Sequence, residues 1–280
     1  MYFPKFWAKA EQNKFKAWGW SDLSLDDALS VARQKAEKVS ALFKAGQLTT
    51  APYGYGDRPL REEVIRSITL ENGVGPILLT RNAYGCLVMN TSNVAFIDVD
   101  KPHEHSVVET LSNFLNGIIG KNNHHRTTTK LALIDSANAW CRLNPDWGLR
   151  LYETAAGFRI MVTHELFKPE AQSIKLLSEI LNGDPLYKML CLRHKSFRAR
   201  LTPKPWRCGL TSPTVRWPWS NGVSENTFRE WEKQYSEKIE SKATCRFIEQ
   251  LGNAAINPVI NDVIVIHDEL TRAYSVMPLA

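Results

Sequence analysis

Two carboxylates one residue apart, closing an apolar run, are the residues of this chain best placed to do chemistry. The run reads Val94-Ala95-Phe96-Ile97-Asp98-Val99-Asp100 and leads into Lys101-Pro102. On a strand, residues i and i+2 share a face, so Asp98 and Asp100 point one way and Ile97 and Val99 the other. Two like charges side by side repel unless a cation or a basic group lies between them. Oxygen-only ligation of this kind suits Mg²⁺ or Mn²⁺. The alternative is a strand end with both Asp side chains solvated, a common place for Asp.

Two later segments carry compatible residue types. Thr154-Ala155-Ala156-Gly157-Phe158-Arg159 reads as a small-residue turn opening a strand, and Arg198-Ala199-Arg200-Leu201-Thr202-Pro203-Lys204 as a basic strand running into a turn. Alternation puts Arg198 and Arg200 on one face, where guanidinium forks could hold phosphates.

This succession resembles the archaeo-eukaryotic primase superfamily, the primase-polymerases, over roughly 76–210. That family has an apolar Asp-x-Asp strand, then a Ser/Thr-x-x-Gly-x-His turn, a third acid, and often an Arg-rich strand entering a Pro/Ser/Lys turn. The resemblance implies that Asp98 and Asp100 bind two divalent cations that clamp a triphosphate and activate a 3′-hydroxyl. It implies that the Thr154–Gly157 turn and Arg159 contact phosphates, with Arg198, Arg200 and Lys204 holding triphosphate or template. Nucleic acid and nucleoside triphosphates are the partners it implies.

The chain departs from that pattern in two places. Arg159 stands where the motif has His, and Arg binds phosphate but cannot serve as acid or base. His164, five residues on, faces the other way. Asp184 stands where the third acid belongs, yet Asp184-Pro185 also reads as a helix N-cap with Pro at the first helical position. Asp262 and Asp268 are weaker candidates. His103 and His105 lie close enough in sequence to join a metal site, whereas His124-His125 reads as a solvated loop. Arg81 is a further possible phosphate contact, and Trp217 and Trp219 could stack on a base or simply pack.

The elements that must position these residues follow from punctuation and periodicity. Ser24 caps a helix over 25–45, and Asp57, Pro59, Glu62 and Glu63 open a short one. Strands are expected at 77–80, 86–90, 94–100, 148–154, 158–164, 197–201 and 263–266. Helices are expected at 105–119, 128–143, 169–181, 184–194 and 225–251. The order implies an α+β fold with a mainly antiparallel sheet, which the resemblance would make an RRM-like core. The expected organisation is an aromatic and helical element at 1–75, the core at 76–210, and a helix and strand packed on it at 211–280. Aromatics among lysines in 1–20 suit either a small sheet or a stacking surface.

Composition sets the bounds. The 280 residues are 44% hydrophobic, enough for one large domain or two small ones, and nine Trp argue against a disordered chain. A net charge of +6 leans toward an anionic partner. Five dispersed cysteines without a Cys-x-x-Cys pair suggest reduced thiols in the cytoplasm. No apolar run reaches the ~18 residues of a membrane span. The sequence thus favours a metal-dependent nucleotidyltransferase. The alternatives are a non-catalytic nucleic-acid-binding protein that keeps the fold, and a metal-dependent nuclease.

Overall fold

Asn13 and Lys14, both at positive φ (48° and 69°), turn β1 (Phe6–Gln12) back onto β2 (Phe15–Ser21). This is the two-residue turn whose twist matches a hairpin. The structure is a computed structural model and describes residues 1–47, 58–70, 75–101 and 129–280. The sequence expectations for the 105–119 helix and for His103, His105, His124 and His125 lie outside those residues.

Helix α1 (Leu25–Lys44) covers the hairpin. The Ser24 hydroxyl accepts from the Asp27 N–H at 3.0 Å, and Asp26 and Asp27 sit in the first turn, where the helix dipole favours negative charge. Ala28, Ala32 and Ala36, four residues apart, form its buried stripe. Gly19 of β2 lies directly beneath, and a Cβ there would collide with the Ala28 carbonyl and the Ala32 backbone.

Two four-stranded antiparallel sheets form the rest. One has the order β3 (Glu63–Ile68), β4 (Ile77–Arg81), β5 (Leu87–Thr91), β9 (Phe197–Arg200). The other has the order β10 (Cys245–Gly252), β7 (Gly148–Thr154), β8 (Gly157–Val162), β6 (Phe96–Asp100). In the second sheet β8 lies antiparallel to both β6 and β7, so β6 and β7 run parallel on either side of it. Helix α2 (Lys130–Leu143), capped by Thr129, lies between them in the chain. Together they form a split β-α-β unit. Along the far edge of β6, Val99 bridges Gly183, and the Asp184 N–H donates to the Asp98 carbonyl at 2.8 Å.

Helices α3 (Gln172–Ile180) and α4 (Pro185–His194) follow β8, and α5 (Gly222–Ile239) and α6 (Pro258–Thr271) lie further along. One apolar core joins the sheets, with Leu79, Met89 and Ala199 from one, Phe96, Leu151 and Ile160 from the other, and Leu133, Leu177 and Ile260 from the helices. All five cysteines are unpaired and buried. No helix among the described residues is long and apolar enough to cross a membrane.

The α+β plan with antiparallel sheets holds, with ten strands and six α-helices among the described residues. Three expectations are corrected. The short helix expected to open near 57–63 is replaced by β3, whose backbone pairs with β4. The helix expected over 225–251 stops at Ile239, and 245–252 is β10, paired with β7. The strand expected at 263–266 lies inside α6, whose buried residues Val259, Ile260, Val263, Ile264 and His267 have helical spacing. β3 and β10 carry the sheets across both expected boundaries, at 75 and at 211.

Candidate functional site

Directly opposed residues of an antiparallel pair share a face. Register therefore sets Asp98 beside Arg159, with Tyr152 next in the same row across β8, and Asp100 beside Gly157, with Thr154 next in its row. Arg159 Nε donates to Asp98 Oδ1 at 2.9 Å and Nη2 to Oδ2 at 3.4 Å. The Arg159 side chain is 3% exposed and that of Asp98 32%. Burial alone would lower the pKa of this guanidinium, but Asp98 outweighs it and the pKa is raised. Arg159 Nη1 donates to the Arg200 carbonyl at 2.9 Å, tying β8 to the end of β9.

Asp184, the candidate third acid, does lie with the pair. Its carboxyl is pushed up to about 6 by burial and then by Asp100, with a smaller push from Asp98. It also caps α4, accepting from the Leu186 N–H at 2.8 Å, so both sequence readings of Asp184 describe its position. Among the described residues no group of three or more His, Cys, Asp or Glu could hold a metal ion. Asp98 has both oxygens on Arg159, which uses one acceptor position on each and holds the carboxylate against a guanidinium.

Gly157 is required by strand pairing: a Cβ would collide with the Val99 carbonyl. Its small size thus serves the close approach of β6 to β8, and Thr154 sits half-buried opposite it. Arg198 is engaged elsewhere. Its Nη2 donates to both oxygens of buried Glu62, at 2.7 and 3.0 Å, and Glu62 also accepts from Thr80 Oγ1 at 2.6 Å. Arg81 is held by Glu63 and Glu232. Asp268 is the buried counter-ion of Arg150 at 2.7 Å, and Asp262 is exposed on α6. His164 packs on Trp147, with ring centroids 4.6 Å apart.

Arg200 and Lys204 have a different setting. With Arg207 they form a cluster in which no member has a carboxylate within salt-bridge reach among the described residues. Burial, then Arg200 and Arg207, lower the pKa of Lys204. Arg207 is lowered by burial and then by Arg200, and its Nη1 is buried without a hydrogen-bond partner. The turn is fixed from several sides. Thr202 Oγ1 accepts from the Leu87 N–H at 2.9 Å, the Tyr235 hydroxyl donates to the Pro203 carbonyl at 2.6 Å, and Pro205 opens a 3₁₀ turn over Pro205–Cys208.

Beside this cluster stand two aromatic rings that the sequence reading did not single out. Lys204 Nζ lies 5.2 Å from the Trp206 ring centroid, and Trp206 meets Tyr84 edge-on at 5.2 Å. Trp206 is 48% exposed and Tyr84 44%. Tyr84 is presented by a turn in which Asn82 Oδ1 accepts from the Tyr84 and Cys86 N–H groups, at 2.9 and 3.1 Å. The interval Lys204-Pro205-Trp206-Arg207 was the available signal, since cations flanking an aromatic in a Pro-fixed turn suit single-stranded nucleic acid.

No protein-family model, curated protein or solved structure matches this chain.

The remaining polar cluster is built around Arg150 under α6. Arg150 donates to the Tyr152 hydroxyl at 2.9 Å, to Asp268, and to the Tyr274 hydroxyl at 2.6 Å, while His267 Nδ1 lies 2.9 Å from Asp268. The cluster locks α6 onto the acidic face of the sheet, with His267 Nε2 alone among its polar atoms buried without a hydrogen-bond partner.

Proposed function

We propose that this protein binds single-stranded nucleic acid along the turn that follows β9. Arg200, Lys204 and Arg207 contact the phosphates, and Trp206 and Tyr84 stack on the bases. The observation that carries this reading is a cationic cluster with no carboxylate within salt-bridge reach among the described residues, beside two half-exposed rings. Cations crowded together lower one another's pKa, and a polyanion relieves that repulsion. Base stacking on exposed rings tolerates any sequence. The split β-α-β sheet and the Asp-x-Asp strand support a fold related to the primase-polymerases, with Asp98 used as the counter-ion of Arg159 and not for catalysis.

The test is the salt dependence of binding to a single-stranded oligonucleotide. Lys204→Ala and Arg207→Ala should each flatten the log K against log [salt] slope by roughly 0.7. Trp206→Ala should cost about 1–3 kcal/mol at every salt concentration. Slopes and affinities equal to the parent's would end this reading.

Nucleotidyl transfer with Mg²⁺ or Mn²⁺ is the second reading. Its specific support is the position of Asp184 beside Asp98 and Asp100. A calorimetric titration of Mn²⁺ with a nucleoside triphosphate, repeated on Asp100→Asn, decides it: metal-dependent binding lost in the variant favours transfer. Absence of metal-dependent binding in both proteins removes it.

A further inference from the structure

On the other side of the Asn82–Gly85 turn lies a second concentration of uncompensated positive charge. Asn82 and Ala83 line a shallow pocket, enclosing about 30 Å³ and open to solvent, together with Arg61, Arg216, Trp217 and Trp219. Arg81 also faces it, but Glu63 and Glu232 neutralise that side chain. Arg61 and Arg216 are not so paired: neither they nor the nearby Arg58 has a carboxylate within salt-bridge reach among the described residues. Arg61 Nη1 is buried without a hydrogen-bond partner. One face of its guanidinium rests on the Trp18 ring at 4.0 Å, which fixes the group in place. Burial, then Arg58 and Arg216, lower the Arg61 pKa.

The two indoles differ. Trp219 packs on Phe228 at 4.8 Å, with the Arg229 guanidinium 5.7 Å from its ring. Trp217 is half-buried and has no ring or cationic partner among the described residues. Among the described residues, the pocket thus combines guanidinium groups without an acid in salt-bridge reach, a buried donor without a partner and an aromatic face without a ring or cation against it.

We infer that a nucleoside monophosphate group lies across the open mouth of this pocket, the phosphate on Arg61 and Arg216 and the base on Trp217. A phosphate monoester carries nearly two charges at neutral pH, where a backbone phosphodiester carries one, so it suits a site with more than one uncompensated Arg. Arg forks take phosphate oxygens in pairs, and the indole takes any base. The group could come from a free mononucleotide or from the phosphorylated end of a strand. The site is separate from the Lys204 turn and does not depend on that turn binding nucleic acid.

The test is a calorimetric titration of AMP, adenosine and inorganic phosphate into the full chain. AMP should bind at least about tenfold more tightly than phosphate, and adenosine should give no measurable binding. Arg216→Ala should weaken AMP and phosphate alike by about tenfold. Arg216 is exposed, so this variant keeps the fold. Trp217→Ala should weaken AMP and leave phosphate unchanged. Lys204→Ala should leave AMP binding unchanged, which separates this site from the strand-binding turn. Displacement of AMP by a 5′-phosphorylated oligonucleotide, but not by its 5′-hydroxyl form, assigns the site to strand ends. Displacement by neither assigns it to free nucleotides. No AMP binding, AMP no tighter than phosphate, or an unchanged Arg216→Ala variant overturns the inference.

Discussion

Arg159 determines what Asp98 can do. Read as a repelling pair, Asp98 and Asp100 predict that neutralising them leaves the fold intact or stabilises it. The bidentate contact reverses that expectation for Asp98, because the side chain it serves is almost wholly buried. Asp98→Asn strands a charged guanidinium and should cost about 3 kcal/mol in urea unfolding. Arg159→Met should cost less, because Asp98 is a third exposed and water can solvate the carboxylate left behind. Equal losses, or none, would show that the ion pair is not what holds this row of the sheet. Asp184 makes a separate prediction. Folded Asp184 keeps its proton up to about pH 6, whereas the ordinary carboxyl value is 3.8. In that window the folded state binds more protons than the unfolded one, so this group's contribution to stability falls as pH rises through it. Asn keeps the capping oxygen and removes the titration. Asp184→Asn should therefore match the parent near pH 4 and exceed it by on the order of 2 kcal/mol near pH 7.5, as read from paired thermal melts. A parent–variant gap independent of pH would refute this.

At the scale of elements, the junction of β6 and β8 is the least forgiving. The space a methyl group would need at Gly157 is filled by the Val99 carbonyl, which cannot rotate away. Gly157→Ala must push the strands apart and should cost more than about 2 kcal/mol, well above an exposed strand substitution. A melt within 1–2 °C of the parent would contradict it. Which elements the sequence reveals follows from which signals are local. Ser24, Thr129 and Asp184 announce their helices because a cap is a short-range hydrogen bond. The 148–162 hairpin reads cleanly because Leu149, Leu151, Phe158, Ile160 and Val162 alternate onto one face on either side of a small-residue turn. β10 reads as helix because a bulge between Phe247 and Glu249 breaks its two-residue alternation. Val263-Ile264-Val265-Ile266 is β-branched and reads as strand, yet burial of one face makes it helical. Asn257-Pro258 repeats the cap-and-proline signal of Asp184-Pro185 and would have revealed that helix. The acidic pair, Arg159 and Asp184 were all legible at the site. That Arg159 neutralises Asp98, and that Glu62 engages Arg198, depends on pairings 61 and 136 residues apart, beyond the reach of any local pattern.

At the scale of the whole molecule, the positive charge is unevenly used. Arg81, Arg150, Arg159 and Arg198 are neutralised by acids in or against the two sheets. The cations described above that have no acid in salt-bridge reach among the described residues gather near one turn, Asn82–Gly85. A net charge of +6 would by itself give only weak, diffuse attraction to a polyanion. The core beneath is shared by both sheets and has a practical corollary in the thiols. Cys86 and Cys208 lie beside the first sheet, Cys141 and Cys245 in or against the second, and Cys191 on α4 next to both. Burial raises the pKa of each and shields it from reagent, so alkylation has to wait for the chain to open. Five silent positions spread in this way amount to a built-in clock for opening. If the shared core opens as one unit, mass spectrometry after pulsed alkylation should find chains carrying either no label or all five, with few in between.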